Sequence, residues 1–215
     1  MRATGSGRDA LTHLAGTQPL CICLFITRAA RAGISTASSA SPPISSLPVT
    51  LRQSVVEIRQ LLVWLRGQGA TKFGLLGSSY GGWLAALLAS LEPDLHFLAL
   101  LAPLVNLGHA LYEGPTSWTI RNQLARAGLD RALVDSHAHL SSPLCAPPAG
   151  RIAERTLIVA GLFDHIVRLA DLAVLHESWP GSELLTVPQA HFGYAMIPQA
   201  VTWLCARGLL TSGHS

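Results

Sequence analysis

The chain has 215 residues, of which 49% are apolar and only 13% charged. That length suits one domain with a full hydrophobic core, and that balance excludes a disordered chain or a solvated helical rod. The formal charge of +3 comes from 15 basic and 12 acidic residues, with Lys72 the single lysine and no basic run, which argues against a nucleic-acid partner.

The first fifty residues are the least regular. Only residues 20–27 read as a strand there, and residues 33–48, dominated by Ser, Ala and Pro, read as a mobile connection. The apolar run 20–26 is at the lower limit for the core of a secretory signal, with Asp9 before it and Arg28 and Arg31 after it, the wrong flanks. Cys21, Cys23, Cys145 and Cys205 form no C-x-x-C pair and are expected to be reduced, mostly buried thiols of a cytoplasmic protein.

From Thr50 the chain alternates helix and strand patterns. Thr50 and Gln53 have capping-box spacing, and Leu51, Val55, Ile58, Leu62 and Leu65 recur as one apolar helical face that Gly67 and Gly69 end. Residues 72–77 are short and nearly all apolar, as a strand covered on both faces must be. Residues 83–91 read as a helix, with Pro93 as the breaker. The long uncharged stretch 73–91 is interrupted at its centre by Gly77-Ser78-Ser79-Tyr80-Gly81-Gly82, so no transmembrane segment is expected. Strands follow at 95–102, 155–161 and 183–187, and helices at 166–178 and 194–206. Strands joined by helices of this length pair in parallel with helices on both faces, which makes the fold class α/β. The fifty residues between the second and third of these strands exceed a plain connection and predict a cap or small helical insertion at about 103–150. The expected organisation is an atypical, partly disordered segment over 1–49, a core over 50–206 and a tail over 207–215.

Gly77-Ser78-Ser79-Tyr80-Gly81 matches G-x-S-x-G between a buried strand and a helix. A serine hydroxyl becomes a useful nucleophile only when it is exposed, rigidly held and beside a base. A sharp strand-to-helix turn provides that hold, and the flanking glycines Gly77 and Gly81 let neighbouring chain approach closely. The helix that follows aims free N–H groups at the reaction centre, so the backbone N–H of Tyr80 is one candidate oxyanion donor. Two further residues follow in chain order, each just past the carboxyl end of a strand: Asp164 after 155–161 and His191 after 183–187. Parallel strands bring those ends to one rim, where open α/β sheets assemble their sites. The expected roles are Ser79 as nucleophile, His191 as general base and then acid, and Asp164 as the group that orients the imidazole.

On these residues the sequence resembles the α/β-hydrolase superfamily over residues 50–206, and Ser79, Asp164, His191 is that superfamily's chain order. The resemblance implies the α/β-hydrolase fold, hydrolysis of a carboxylester, thioester, amide or lipid ester without cofactor or metal, and a small-molecule or lipid ester as substrate. Some members carry the acid after the preceding strand, but that loop holds Asn106 here, so Asp164 is preferred over Asp135 and Glu113. The N-terminus departs from the pattern. One strand stands where several are expected, and His13 and Gly16 lie upstream of it, on the wrong side to begin the loop that gives the second oxyanion N–H. The expectation is an incomplete set of N-terminal strands, with a catalytically impaired hydrolase-fold binding module or a truncated product as the alternative.

A third reading, a metal-dependent hydrolase, rests on Asp135-Ser136-His137-Ala138-His139, where two histidines at i and i+2 on a strand would face one metal. The residues after His139 are too few for the (β/α) barrel of about 250 residues that such a motif opens. His109, His165 and His176 are expected at the surface or in loops. Tyr112, Trp118 and Phe192 are candidates for an acyl pocket or for core packing.

Overall fold

A computed structural model describes residues 20–24, 47–114 and 117–210. Of the expected connection at 33–48, residues 33–46 lie outside the described residues and the last two are helical; His13, Gly16 and the last five residues of the tail also lie outside them, as do the side chains of Cys21, Cys23 and Thr50. Among the described residues, five strands, β1 (Leu20–Leu24), β2 (Phe73–Ser78), β3 (Leu95–Leu101), β4 (Thr156–Gly161) and β5 (Glu183–Val187), form one sheet in that order, every neighbouring pair parallel. Their carboxyl ends therefore share a rim. The register sets Leu24 opposite Gly77 and Gly161 opposite Val187, so β1 and β5 end level with the strands they flank.

The helices are α1 (Leu47–Gly67), α2 (Tyr80–Ala89), α3 (Leu107–Tyr112), α4 (Ser117–Arg126), α5 (Arg131–Ala138), α6 (Leu169–Ser178) and α7 (Met196–Ala206). Expected and observed strands agree to within a residue at each end from β2 onward. The helices differ more. α1 begins at Leu47, so Thr50 lies inside its first turn, and Gln53 donates to Glu57 one turn on (2.8 Å) instead of completing a capping box. α2 begins at Tyr80 instead of residue 83, because the turn at Ser79 passes directly into the helix.

β3 and β4 are buried along almost their whole length, as strands covered on both faces are. Their Leu, Ile, Val and Phe side chains form the core with Leu62 of α1, Leu88 of α2, Leu172 and Leu175 of α6 and Leu204 of α7. Gly74 of β2 makes room for this packing: a β-carbon there would stand 2.1 Å from the ring of Phe97 on β3. α1 is tied to the loop after α2 by Glu92, a buried carboxylate that accepts from Arg59 (2.8 Å) and Arg66 (3.0 Å). Burial acts to raise the Glu92 pKa, but the hydrogen bonds and charges of the two arginines outweigh it and hold the group below the ordinary range.

Between β3 and β4 the long segment folds as α3, α4 and α5 and a short 3-10 turn at His139–Ser141. The Trp83 indole of α2 donates to the Ser141 carbonyl at 2.6 Å and fastens this insertion to the core. The two described cysteine side chains correct the expectation of buried thiols, since Cys145 is exposed and Cys205 only half-buried. No helix among the described residues is long and apolar enough to cross a membrane.

Candidate active site

Ser79 joins β2 to α2 with φ 53° and ψ −116°. A non-glycine residue at positive φ carries backbone strain that only a constraining surround sustains. That surround is backbone. Ser79 N–H donates to the Leu101 carbonyl of β3 (2.8 Å), and the Ser79 carbonyl accepts from Trp83 (3.0 Å) and Leu104 (3.3 Å). The turn is tight enough that a β-carbon on Gly77 would lie 2.3 Å from the Gly81 carbonyl oxygen, and one on Gly82 would lie 3.0 Å from Pro103. Serine at a helix N-terminus commonly caps it with its own hydroxyl. Ser79 does not cap α2; its Oγ lies 2.8 Å from Nε2 of His191.

The other ring nitrogen of His191, Nδ1, is 2.8 Å from Oδ2 of Asp164. The second carboxylate oxygen, Oδ1, accepts from the backbone N–H groups of Ile166 (2.8 Å) and Val167 (2.9 Å), so Asp164 closes the turn on which it sits. Its side chain is fully shielded from solvent. Burial acts to raise the Asp164 pKa, yet the hydrogen bond from His191, those from the Val167 and Ile166 amides and the charge of His191 outweigh it, and the carboxyl titrates below its ordinary range. The resulting arrangement is a hydroxyl, an imidazole and a carboxylate in one hydrogen-bonded line, the geometry needed to take a proton from the hydroxyl and stabilise the imidazolium that forms.

The loops that carry Asp164 and His191 hold one another. Leu162 N–H donates to the Val187 carbonyl (2.9 Å) and Phe163 N–H to that of Gln189 (3.1 Å), which continues the β4–β5 pairing past the sheet edge. Gly161 permits this approach, because a β-carbon there would stand 2.6 Å from the Gln189 carbonyl. The Gln189 side chain also accepts from Ala195 N–H (2.7 Å), which shapes the His191 loop. Sequence reasoning missed Gly161 and Gln189, whose importance arises only from pairing across the loops.

Tyr80 opens α2, where first-turn N–H groups lack intrahelical acceptors. Its ring stacks edge-on with Trp83 at 5.6 Å, and its phenol is buried. Burial raises that phenol's pKa, partly offset by Ser54 alongside. Phe192 packs edge-on to His191 with ring centroids 5.0 Å apart but is 81% exposed, and Trp118 is also largely exposed, so neither is core packing. A cavity of about 940 Å³ lies between α1, the end of α2 and helices α3–α5, lined by Leu51, Val55, Leu107 and Leu133 among others, and Ser79, Asp164 and His191 do not line it.

Asn106 caps α3, accepting from His109 N–H (3.0 Å) and donating to Asp171 (3.0 Å). Asp135 and Glu113 are both paired with Arg131, at 3.2 and 2.7 Å. Asp135 and His137 lie on α5 and His139 on the turn that follows, so the i, i+2 strand geometry behind the metal reading is absent. His165 is exposed and His176 half-buried against Ser182. His109 corrects the surface reading: it is buried within α3.

Comparisons with known proteins agree with the fold. Residues 32–122 match the family described as alpha/beta hydrolase domain containing 18. An uncharacterized protein from each of two Mycobacterium tuberculosis strains is 30% identical over 151 residues, 66% of this chain and 34% of the relative. The chain thus spans about a third of the length of the curated relatives it matches. Among solved structures, a protein of Agrobacterium vitis S4 assigned as a hydrolase superposes with TM-score 0.58 at 19% identity, over 90% of this chain and 88% of that one. The acetyl xylan esterase from Paenibacillus sp. R4 gives 0.55 at 15% identity, over 72% and 52%. The Pyrococcus furiosus esterase Pf2001 gives 0.54 at 13%, over 91% and 82%. The parallel sheet, the strained serine turn and these likenesses show that the chain has the fold of the α/β hydrolases.

Proposed function

We propose that the chain is a serine hydrolase that cleaves an ester, thioester or amide bond through Ser79, His191 and Asp164. The reading is carried by the 2.8 Å approach of Ser79 Oγ to His191 Nε2 from a residue strained at φ 53°. His191 takes the hydroxyl proton as Oγ attacks the substrate carbonyl, and Asp164 keeps the imidazole oriented and stabilises its charge. The tetrahedral oxyanion is met by the Tyr80 N–H at the start of α2, whose dipole favours negative charge there. Collapse of this intermediate expels the alcohol, thiol or amine, which receives the proton from His191. Water activated by the same imidazole then releases the acid and frees Ser79. No cofactor or metal enters this sequence.

The helices over 103–150 serve as the cap in this reading, and a small-molecule or lipid ester in the cytoplasm is the expected substrate class. Phe163, Phe192 and Tyr194, exposed on the two loops that carry the acid and the base, favour an apolar substituent on the substrate. A fluorophosphonate probe tests the proposal. Labelling of the folded chain that disappears in Ser79→Ala supports it, whereas a folded chain left unlabelled favours a non-catalytic binding module.

A further inference from the structure

His109 lies between two groups that only accept hydrogen bonds. Its Nδ1 is 3.0 Å from Oε2 of Glu113, and its Nε2 is 3.2 Å from the backbone carbonyl of His165. A peptide carbonyl never donates. The Glu113 carboxyl, held below its ordinary pKa range by hydrogen bonds from His109 and Arg131, is an ionised acceptor. A neutral imidazole has one N–H and one lone pair, so it can satisfy only one of these partners. Both contacts form together only when both ring nitrogens carry a proton.

The carbonyl belongs to the residue after Asp164. Residues 164–167 form the turn that Asp164 closes from within, its Oδ1 holding the amides of Ile166 and Val167. His109 grips the same turn from outside, from a helix of the insertion. We propose that His109 is a positioning residue: with both ring nitrogens protonated it braces the Asp164 turn against α3, and loss of the second proton releases one end of the brace. The proposal rests on the reading of Asp164 as the acid of the triad, since that is how the turn's placement reaches the reaction.

The charged surroundings of the imidazole come from four elements. Glu113 closes its own helix. From α5, Arg131 pairs with Glu113 at 2.7 Å and with Asp135 at 3.2 Å. From the far side of the turn, Arg168 lies 4.0 Å from Glu113 and pairs with Asp171 of α6 at 2.8 Å, and Asp171 also accepts from Asn106. α4, packed on α3, sends Arg121 to the Tyr112 carbonyl at 3.2 Å. Three arginines and two further carboxylates thus surround the His109–Glu113 pair.

Glu113→Gln offers a sharp test. The amide oxygen can keep Arg131 while the amide NH₂ donates to Nδ1, so a neutral imidazole then satisfies every partner with its one proton on Nε2. Heteronuclear NMR of the histidine rings, followed from about pH 5 to 8, should show both His109 nitrogens protonated at the acid end of the titration. The amide signals of Ile166 and Val167 should move with the same midpoint. In Glu113→Gln the Ile166 and Val167 amides should no longer follow the ring. In turnover of a p-nitrophenyl ester, kcat of the wild type should fall on the alkaline side with that midpoint, and Glu113→Gln should lose the fall. His109→Leu should lower kcat about tenfold with KM little changed.

A His109 ring with one proton across the range, or Ile166 and Val167 amides indifferent to its titration, overturns the brace whatever the catalytic result. Intact NMR coupling in a chain that shows no Ser79-dependent labelling leaves the brace standing and removes the triad reading instead. Should His109→Leu fail to fold, the wild-type and Glu113→Gln titrations still decide.

Discussion

A β-carbon on Gly77 would stand 2.3 Å from the carbonyl oxygen of Gly81, four residues on. The two glycines of the serine turn therefore answer to one contact, because the chain doubles back so sharply at Ser79 that the first cannot carry a side chain. Gly77→Ala must push the start of α2 away from β2. It should cost about 1–3 kcal/mol of stability and abolish probe labelling by displacing Ser79. Chemical denaturation and labelling check the two effects, and a variant of wild-type stability would mean that the turn is looser than this contact requires.

Ser79 carries strain that glycine would not. Ser79→Gly should therefore be more stable than the wild type by about 1 kcal/mol while inactive, since the positive φ costs glycine little. Ser79→Ala keeps the strain and should be equally inactive without that gain. Thermal unfolding of the pair separates backbone relief from loss of the hydroxyl.

Ser79→Ala, His191→Ala and Asp164→Asn act on one hydrogen-bonded line, so their effects on turnover should be far from additive. Each single change should cost about a thousandfold or more in kcat, and the Ser79→Ala/His191→Ala double variant little more than either. Additive losses in single-turnover assays would mean that the side chains do not work as a unit.

Besides the exposed Glu113 and Glu154, the more buried carboxyls of Glu92, Asp164 and Asp171 titrate below their ordinary range in the folded chain. Their pKa values are lower folded than unfolded, so in acid the unfolded chain binds more protons. The stability they contribute is complete above the unfolded values, about pH 4, and is lost as pH falls through the folded values. Melting temperature should be level through weakly acidic solution and decline steeply below that point. A decline that starts near neutrality would place the responsible groups elsewhere.

Removing the buried Glu92 carboxylate unties α1 from the loop after α2 and leaves Arg59 and Arg66 without their shared partner. Glu92→Ala should lower stability by about 1–3 kcal/mol, with probe labelling retained in the fraction that stays folded. Equal denaturation midpoints for variant and wild type would reduce this pair of ion bonds to a surface contact.

Ser79, Asp164 and His191 were legible because each lies just past a short apolar run, and parallel strands with helical crossovers leave few places for such residues to go. The apolar runs 72–77, 95–102, 155–161 and 183–187 reappear as β2 to β5 with ends displaced by at most one residue, since strands covered on both faces have almost no choice of side chain. Helix starts were less legible. The beginning of α2 follows from the Ser79 turn, and α1 starts before Thr50, the hydroxyl of the expected capping box.

What the order of residues determined by itself was the alternation of elements and the chemical types that meet at the sheet rim, because burial and backbone geometry impose both locally. Only the folded chain decided the rest. Gly161 matters because Gln189 crosses it, and the thiol of Cys145 turned out exposed where a buried one was expected. His109 acquired a buried place between a carboxylate and a carbonyl 56 residues away in the chain. Contacts of that kind depend on which loops are brought together, and a linear pattern of polar and apolar residues holds no record of them.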